Sequence, residues 1–171
     1  MLIRALEEAG VDYSDLDVRL LFPHAARVAF MHGEVDAWAL GDPTLADVQQ
    51  SMPVRVVRDG RGLVSNPKYY LANRSFAESC PELIQIFHQE LTNAQTWVRE
   101  HIDQTANELA PIIGIAREAI DLSLRRSLPN MLDPEESIAS QQRLADTFYA
   151  LNLIPRAVNV AEETHWVKAL H

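Results

Sequence analysis

Between residues 17 and 57 short apolar runs alternate with stretches of helical spacing, and that alternation constrains the fold more than any other feature of the chain. Asp17 to Phe22 (DVRLLF) reads as a strand, Ala25 to Met31 as a helix ended by Gly33, Val35 to Leu40 (VDAWAL) as a second strand, and Val54 to Val57 (VRVV) as a third. Asp42-Pro43 opens the helix between the last two, with aspartate as N-cap and proline at the first helical position. Strand–helix–strand order predicts a parallel sheet, because parallel neighbours need a crossover connection.

Near residue 74 the pattern changes. Tyr69 to Ala72 reads as a brief extended segment, and every strong signal beyond it is helical. A helix over 81–101 sets Leu83, Ile84, Phe87, Leu91, Ala94, Trp97 and Val98 at three- and four-residue spacings, which predicts a core-facing stripe. Helices over about 104–112 and 115–126 follow. The last long helix has Asp133 as cap, Pro134 at the first position and Glu136 in the capping-box place. It is expected to bury Ile138, Leu144, Ala145, Phe148 and Leu151 and to stop at Leu153-Ile154-Pro155. Residues 2–9 read as an amphipathic helix stopped by Gly10. The expected fold class is α/β: a small parallel β-α-β lobe followed by a mostly helical C-terminal half.

The chain has 171 residues, enough for one domain or slightly more. Lys+Arg 15 against Asp+Glu 24 gives a net charge of −9, which excludes nonspecific nucleic-acid binding, since that needs a cluster of cations. No run approaches the roughly 18 apolar residues of a membrane span. The single cysteine, Cys80, excludes an internal disulfide and a cysteine-rich zinc site. The first ten residues have neither a basic region followed by an apolar run nor a small-residue cleavage site, so the chain as written carries no export signal and is expected in the cytoplasm if expressed so.

No nucleotide loop, zincin helix, EF-hand or nucleophile elbow is present. The six histidines show no ligand-like i, i+4 pairing, and neither metal, cofactor nor catalytic residue is assigned. Cys80 precedes Pro81 at a helix start without a visible base, Arg125-Arg126 and Asp59/Arg61 read as solvated faces, and all but Lys68 and Lys168 of the basic residues are arginine. What remains are two strand-to-helix junctions, Phe22-Pro23-His24-Ala25 and Leu40-Gly41-Asp42-Pro43. Ligands of open α/β sheets sit at the carboxyl ends of strands, where helix N-termini suit an anion. Asp42 is either a helix cap or part of such a site, and Trp38 is either core or pocket wall.

The ordered set Pro23…Ala26-Arg27…Phe30…Gly33…Val35-Asp36-Ala37-Trp38…Asp42-Pro43, Asp59-Gly60…Gly62-Leu63-Val64-Ser65-Asn66…Tyr70-Leu71-Ala72, and Gln141-Gln142…Ala145-Asp146-Thr147-Phe148-Tyr149…Leu153-Ile154-Pro155 resembles the substrate-binding proteins of aliphatic sulfonate, taurine and nitrate ABC importers. The resemblance runs from about residue 2 to 160. It implies part of a type II periplasmic-binding fold, two α/β lobes that close on a small anion and deliver it to a membrane permease. Residues 1–66 would be part of the second lobe, 67–74 the return hinge strand and 75–171 the helical C-terminal part of the first lobe. Family members are nearly twice as long. The signal peptide, the first-lobe sheet, the outgoing hinge strand and a Gly-Ser loop have no counterpart here. Gly41 stands where the family often has an aromatic, and Ala25 where it often has an acid.

The resemblance therefore implies capture without chemistry of a sulfonate-like anion, with Pro23, His24, Trp38, Gly41, Asp42 and Pro43 lining one wall, in a periplasmic protein. Binding would be impaired without the other half of the cleft. Two alternatives are an enzyme on the same fold, a desulfinase or thiamine-pyrimidine synthase relative, and a relict module that forms homo-oligomers through exposed helix stripes.

Overall fold

A computed structural model describes residues 1–64, 68–126 and 134–163. The expected helices form, together with two further ones among the described residues: α1 (Leu2–Ala9), α2 (Pro23–Met31) and α3 (Thr44–Ser51) precede residue 74, and α4 (Arg74–Ser79), α5 (Pro81–Glu100), α6 (Ile102–Ile113), α7 (Arg117–Arg126), α8 (Pro134–Ala150) and α9 (Val160–Glu163) make up the rest. A single 3-10 turn spans Tyr13–Asp15, capped by the Asp12 side chain. The turn, α4 and α9 carry no strong sequence period, and none of them was expected; α4 is fixed locally by Asn73, whose side chain accepts from the Ser75 amide. At the end of α1, Gly10 takes the left-handed conformation, φ 68°, that the helix stop requires. Asp133, the expected cap of α8, and Ser65–Pro67, where the boundary between lobe and hinge was expected, lie outside the described residues.

The expected strands do not form. Among the described residues, 17–22, 35–40, 54–57 and 69–72 include no paired strand, so the parallel β-α-β sheet is absent. The physical reason is that a strand is defined by its ladder: an extended segment without a neighbour leaves its N–H and C=O groups to water. Residues 17–22 show this plainly, with Leu20 96% and Phe22 88% exposed.

The chain separates into two compact units that are not consecutive stretches. Unit 1 joins Met1–Val64 to Ile102–Ser127, so α6 and α7 pack with the N-terminal third and not with the other helices that follow residue 74. Its core is Ala26 and Ala29 of α2, Ala46 and Val48 of α3, Thr105 and Ala106 of α6, and Ala119 and Ile120 of α7. Small side chains let α6 close on α7 and α3 on α7. Arg27 of α2 fastens α3 by an ion pair to Asp47 at 2.6 Å and a hydrogen bond to the Ser51 hydroxyl at 2.8 Å. Both charges are largely shielded, which makes this pair stronger than an exposed one.

Unit 2 joins Ser65–His101 to Leu128–His171. Within it Tyr70 meets Phe87 edge-on at 5.4 Å, and Trp97 stacks on His101 at 4.7 Å. The Gln142 amide of α8 donates to the Val158 carbonyl and accepts from the Val160 amide, which holds the start of α9 against α8. The expected stripes are not core. No residue of α5 is buried, and Leu83, Phe87 and Trp97 are exposed at 51%, 48% and 38%. On α8 Leu144 is exposed, while Ile138, Ala145 and Phe148, and Leu151 just past the helix end, are only half-buried. The amphipathic period is real, but a stripe is buried only where a second element lies on it.

Four carboxyls of unit 1, Glu8, Asp12, Asp59 and Asp121, sit below the ordinary carboxylate range. Asp121 is lowered chiefly by the hydrogen bond from Arg125, and Asp59 chiefly by the hydrogen bond from Arg61. A folded pKa below the unfolded one adds stability that is full above about pH 4 and is lost as pH falls through the folded value. The Tm of the chain, followed by circular dichroism, should therefore decline on acidification below about pH 4, and Asp121→Asn should make that decline shallower.

Candidate functional site

The two junctions differ in the room they leave an anion. Phe22, extended at φ −64° and ψ 152°, precedes α2 and contributes no side-chain cap. Pro23 occupies the first turn and has no N–H, and the Ala26 amide bonds the Phe22 carbonyl. The N–H groups of His24 and Ala25 are left without a partner among the described residues, and no acidic side chain lies in the first turn. Pro23 and His24 are both exposed. Two amide donors at the positive end of a helix dipole form a weak anion seat.

The second junction is already filled by a carboxylate. The Asp42–Pro43 peptide is cis and α3 starts at Thr44, so Pro43, not Asp42, is the N-cap and the expected Asp-cap, Pro-first arrangement is displaced by one residue. Asp42 still satisfies the helix: its Oδ1 accepts from the Ala46 amide at 3.0 Å. The same oxygen lies 3.6 Å from Arg126 Nη1 at the end of α7. Arg126, read from sequence as part of a solvated face, is thus joined to the junction, and no local sequence signal announces a contact across 84 residues.

Trp38 is half-buried, its ring 6.1 Å from that of Phe30 on α2 at 47°. That contact ties the second extended segment to the helix whose N-terminus carries His24. Gly41 is exposed, and nothing lies within 4 Å of where a Cβ would stand. All six expected wall residues therefore belong to unit 1, linked through Phe30–Trp38 and Arg27–Asp47. Cys80 belongs to unit 2, between α4 and α5, and no group of three His, Cys, Asp or Glu side chains gathers among the described residues.

Replacing Asp42 by alanine removes the acceptor of the Ala46 amide and the partner of Arg126. Asp42→Ala should cost about 1 kcal/mol in urea denaturation and speed hydrogen exchange at Ala46, as loss of a capping carboxylate does.

Comparison with known proteins gives the arrangement a context. The aliphatic sulfonates-binding protein of Escherichia coli strain K12 is 34% identical over 164 residues, which is 95% of this chain and 51% of that protein. The aliphatic sulfonates-binding protein of Bacillus subtilis is 24% identical over 150 residues, 86% of this chain and 45% of that one. The crystal structure of the periplasmic aliphatic sulphonate binding protein SsuA from E. coli matches 94% of the chain with a TM-score of 0.83 at 33% identity. In sequence and fold the chain is similar to the aliphatic sulfonate-binding proteins over about half their length. The alkanesulfonate-binding protein SsuA from Xanthomonas axonopodis pv. citri, bound to MOPS, also covers 94% of the chain, with a TM-score of 0.84 at 29% identity. The chain spans about half the length of the curated relatives and 56% of each SsuA chain. No family model matches the sequence. These proteins are named as sulfonate-binding proteins, one of them periplasmic, and not as enzymes.

Proposed function

We propose that the chain supplies one wall of a sulfonate-binding cleft of an ABC importer's substrate-binding protein, capturing the anion without chemistry. The observation that carries this reading is that sulfonate-binding proteins match the chain through both junctions, at one of which α2 presents the His24 and Ala25 amides with no acid beside them. A sulfonate is accepted there by amide donors and the helix dipole, and Trp38 offers an apolar surface to the alkyl chain. Pro23 and the Gly41-Asp42-Pro43 turn complete the wall. Asp42 acts by holding α3 and Arg126 in place, not by touching the anion, which it would repel.

In the two-lobed fold, residues 1–66 would be part of the second lobe, residues 67–74 the return hinge strand and residues 75–171 the helical C-terminal part of the first lobe. Delivery is to a membrane permease, in the periplasm. Nitrate fits the same donors but has no alkyl chain to cover Trp38, and taurine would bring an ammonium group to that apolar surface, which favours an unsubstituted alkyl sulfonate. Placement of Cys80 in unit 2 gives the enzyme reading no support.

Trp38 fluorescence tests the reading in a chain with Trp97→Phe and Trp166→Phe. An alkanesulfonate should produce a saturable change and an alkylammonium salt none. Equal responses to the two, or no response to either, would overturn it.

A further inference from the structure

Asp42 is a liability in a wall that takes an anion. Its carboxylate stands in the Gly41-Asp42-Pro43 turn, and its side chain is only 13% exposed, so water screens the charge poorly. An unopposed carboxylate at that place attracts a cation and repels a sulfonate. The start of α3 offsets part of the charge through the Ala46 amide, 3.0 Å from Oδ1. A helix N-terminus supplies about half a positive charge, so roughly half of the Asp42 charge is left over.

Arg126 cancels the remainder. It ends α7, where the negative end of the helix favours a cation, and its Nη1 lies 3.6 Å from Asp42 Oδ1. That separation is too long for a hydrogen bond, so Arg126 acts on Asp42 by charge and not by filling an acceptor. Other arginines of unit 1 are committed elsewhere, Arg27 to Asp47, Arg117 to Asp103 and Arg125 to Asp121. Among the described residues Arg126 is the one cation paired with Asp42. We propose that Arg126 determines the charge specificity of the wall: by cancelling Asp42 it turns a surface that would favour a cation into one that admits an anion. This rests on the sulfonate reading of unit 1 and deepens it, since contact with the ligand stays with the α2 amides and Trp38 while Arg126 fixes the sign of the charge they meet.

Two probes of matched size, ethanesulfonate and ethylammonium, test this through Trp38 fluorescence in the chain with Trp97→Phe and Trp166→Phe. Arg126→Gln should weaken ethanesulfonate about 10-fold and create a saturable ethylammonium response. Arg126→Lys keeps the charge and should keep the preference for ethanesulfonate. Adding Asp42→Asn to Arg126→Gln removes the other charge of the pair, while the amide oxygen can still accept from the Ala46 N–H. The double variant should regain ethanesulfonate and lose the ethylammonium response, a repair that damage to the fold would not show. An Arg126→Gln chain with the original preference, or a double variant that responds like Arg126→Gln alone, would overturn the proposal. If the chain with Arg126 intact ignores ethanesulfonate, the sulfonate reading falls and the ethylammonium response of Arg126→Gln decides the role of Arg126: its appearance upholds that role, and its absence overturns it.

Discussion

Ala106→Leu should destabilise unit 1 by about 1–3 kcal/mol and lower its Tm by roughly 5–20 °C. Ala106 and Ala119 are 0% exposed, one on α6 and one on α7, and the close approach of those helices depends on the absence of side-chain bulk at both positions. Three added carbons have nowhere to go without spreading the helices or forcing off-rotamer side chains. Ala119→Leu should behave likewise. Leu20→Ala, at a residue 96% exposed, should move the Tm of the free chain by no more than a surface change does, within about 0.5 kcal/mol. Thermal melts of the three variants check the contrast, and a harmless Ala106→Leu would mean that the helices do not pack as described.

The second large effect concerns affinity. A small ligand in a closed cleft has most of its surface buried, and a one-sided wall removes about half of those contacts. Halving the binding free energy of a micromolar complex, from about −8 to about −4 kcal/mol, moves the Kd to roughly millimolar. Calorimetry should therefore give the isolated chain a Kd for ethanesulfonate or MOPS in the millimolar range or weaker, and a fusion with the part of the E. coli sulfonates-binding protein outside the aligned region should tighten it by about 1000-fold. Micromolar binding by the chain alone would show that unit 1 needs no second wall.

Local chemistry made most of the helices legible in the sequence. Pro81 and Pro134 each sit in the first turn expected of them, Pro23 opens its helix two residues ahead of the expected Ala25, and Gly10 and Gly33 take the positive φ that ends a helix. Burial was not legible in the same way. The stripe from Leu83 to Val98 has the right period, yet period reports which side of a helix is apolar and not whether anything lies against it. The strands failed for a related reason, since DVRLLF and VRVV state a preference that only a neighbouring strand can realise. Return of Ile102–Ser127 to the N-terminal third is a long-range matter of alanine faces meeting, invisible to any window of sequence. At the site, both junctions could be located from their Pro-containing turns, whereas the Arg126–Asp42 ion pair could not.

The central claim, that unit 1 carries a sulfonate wall built on the α2 N-terminus, is tested most directly by an amide-resolved NMR titration of this chain with an alkanesulfonate. The account predicts perturbations at His24, Ala25 and Trp38, saturating in the millimolar range and missing with an alkylammonium salt. Unmoved amides at those three residues up to tens of millimolar, or a response centred on unit 2, would contradict it.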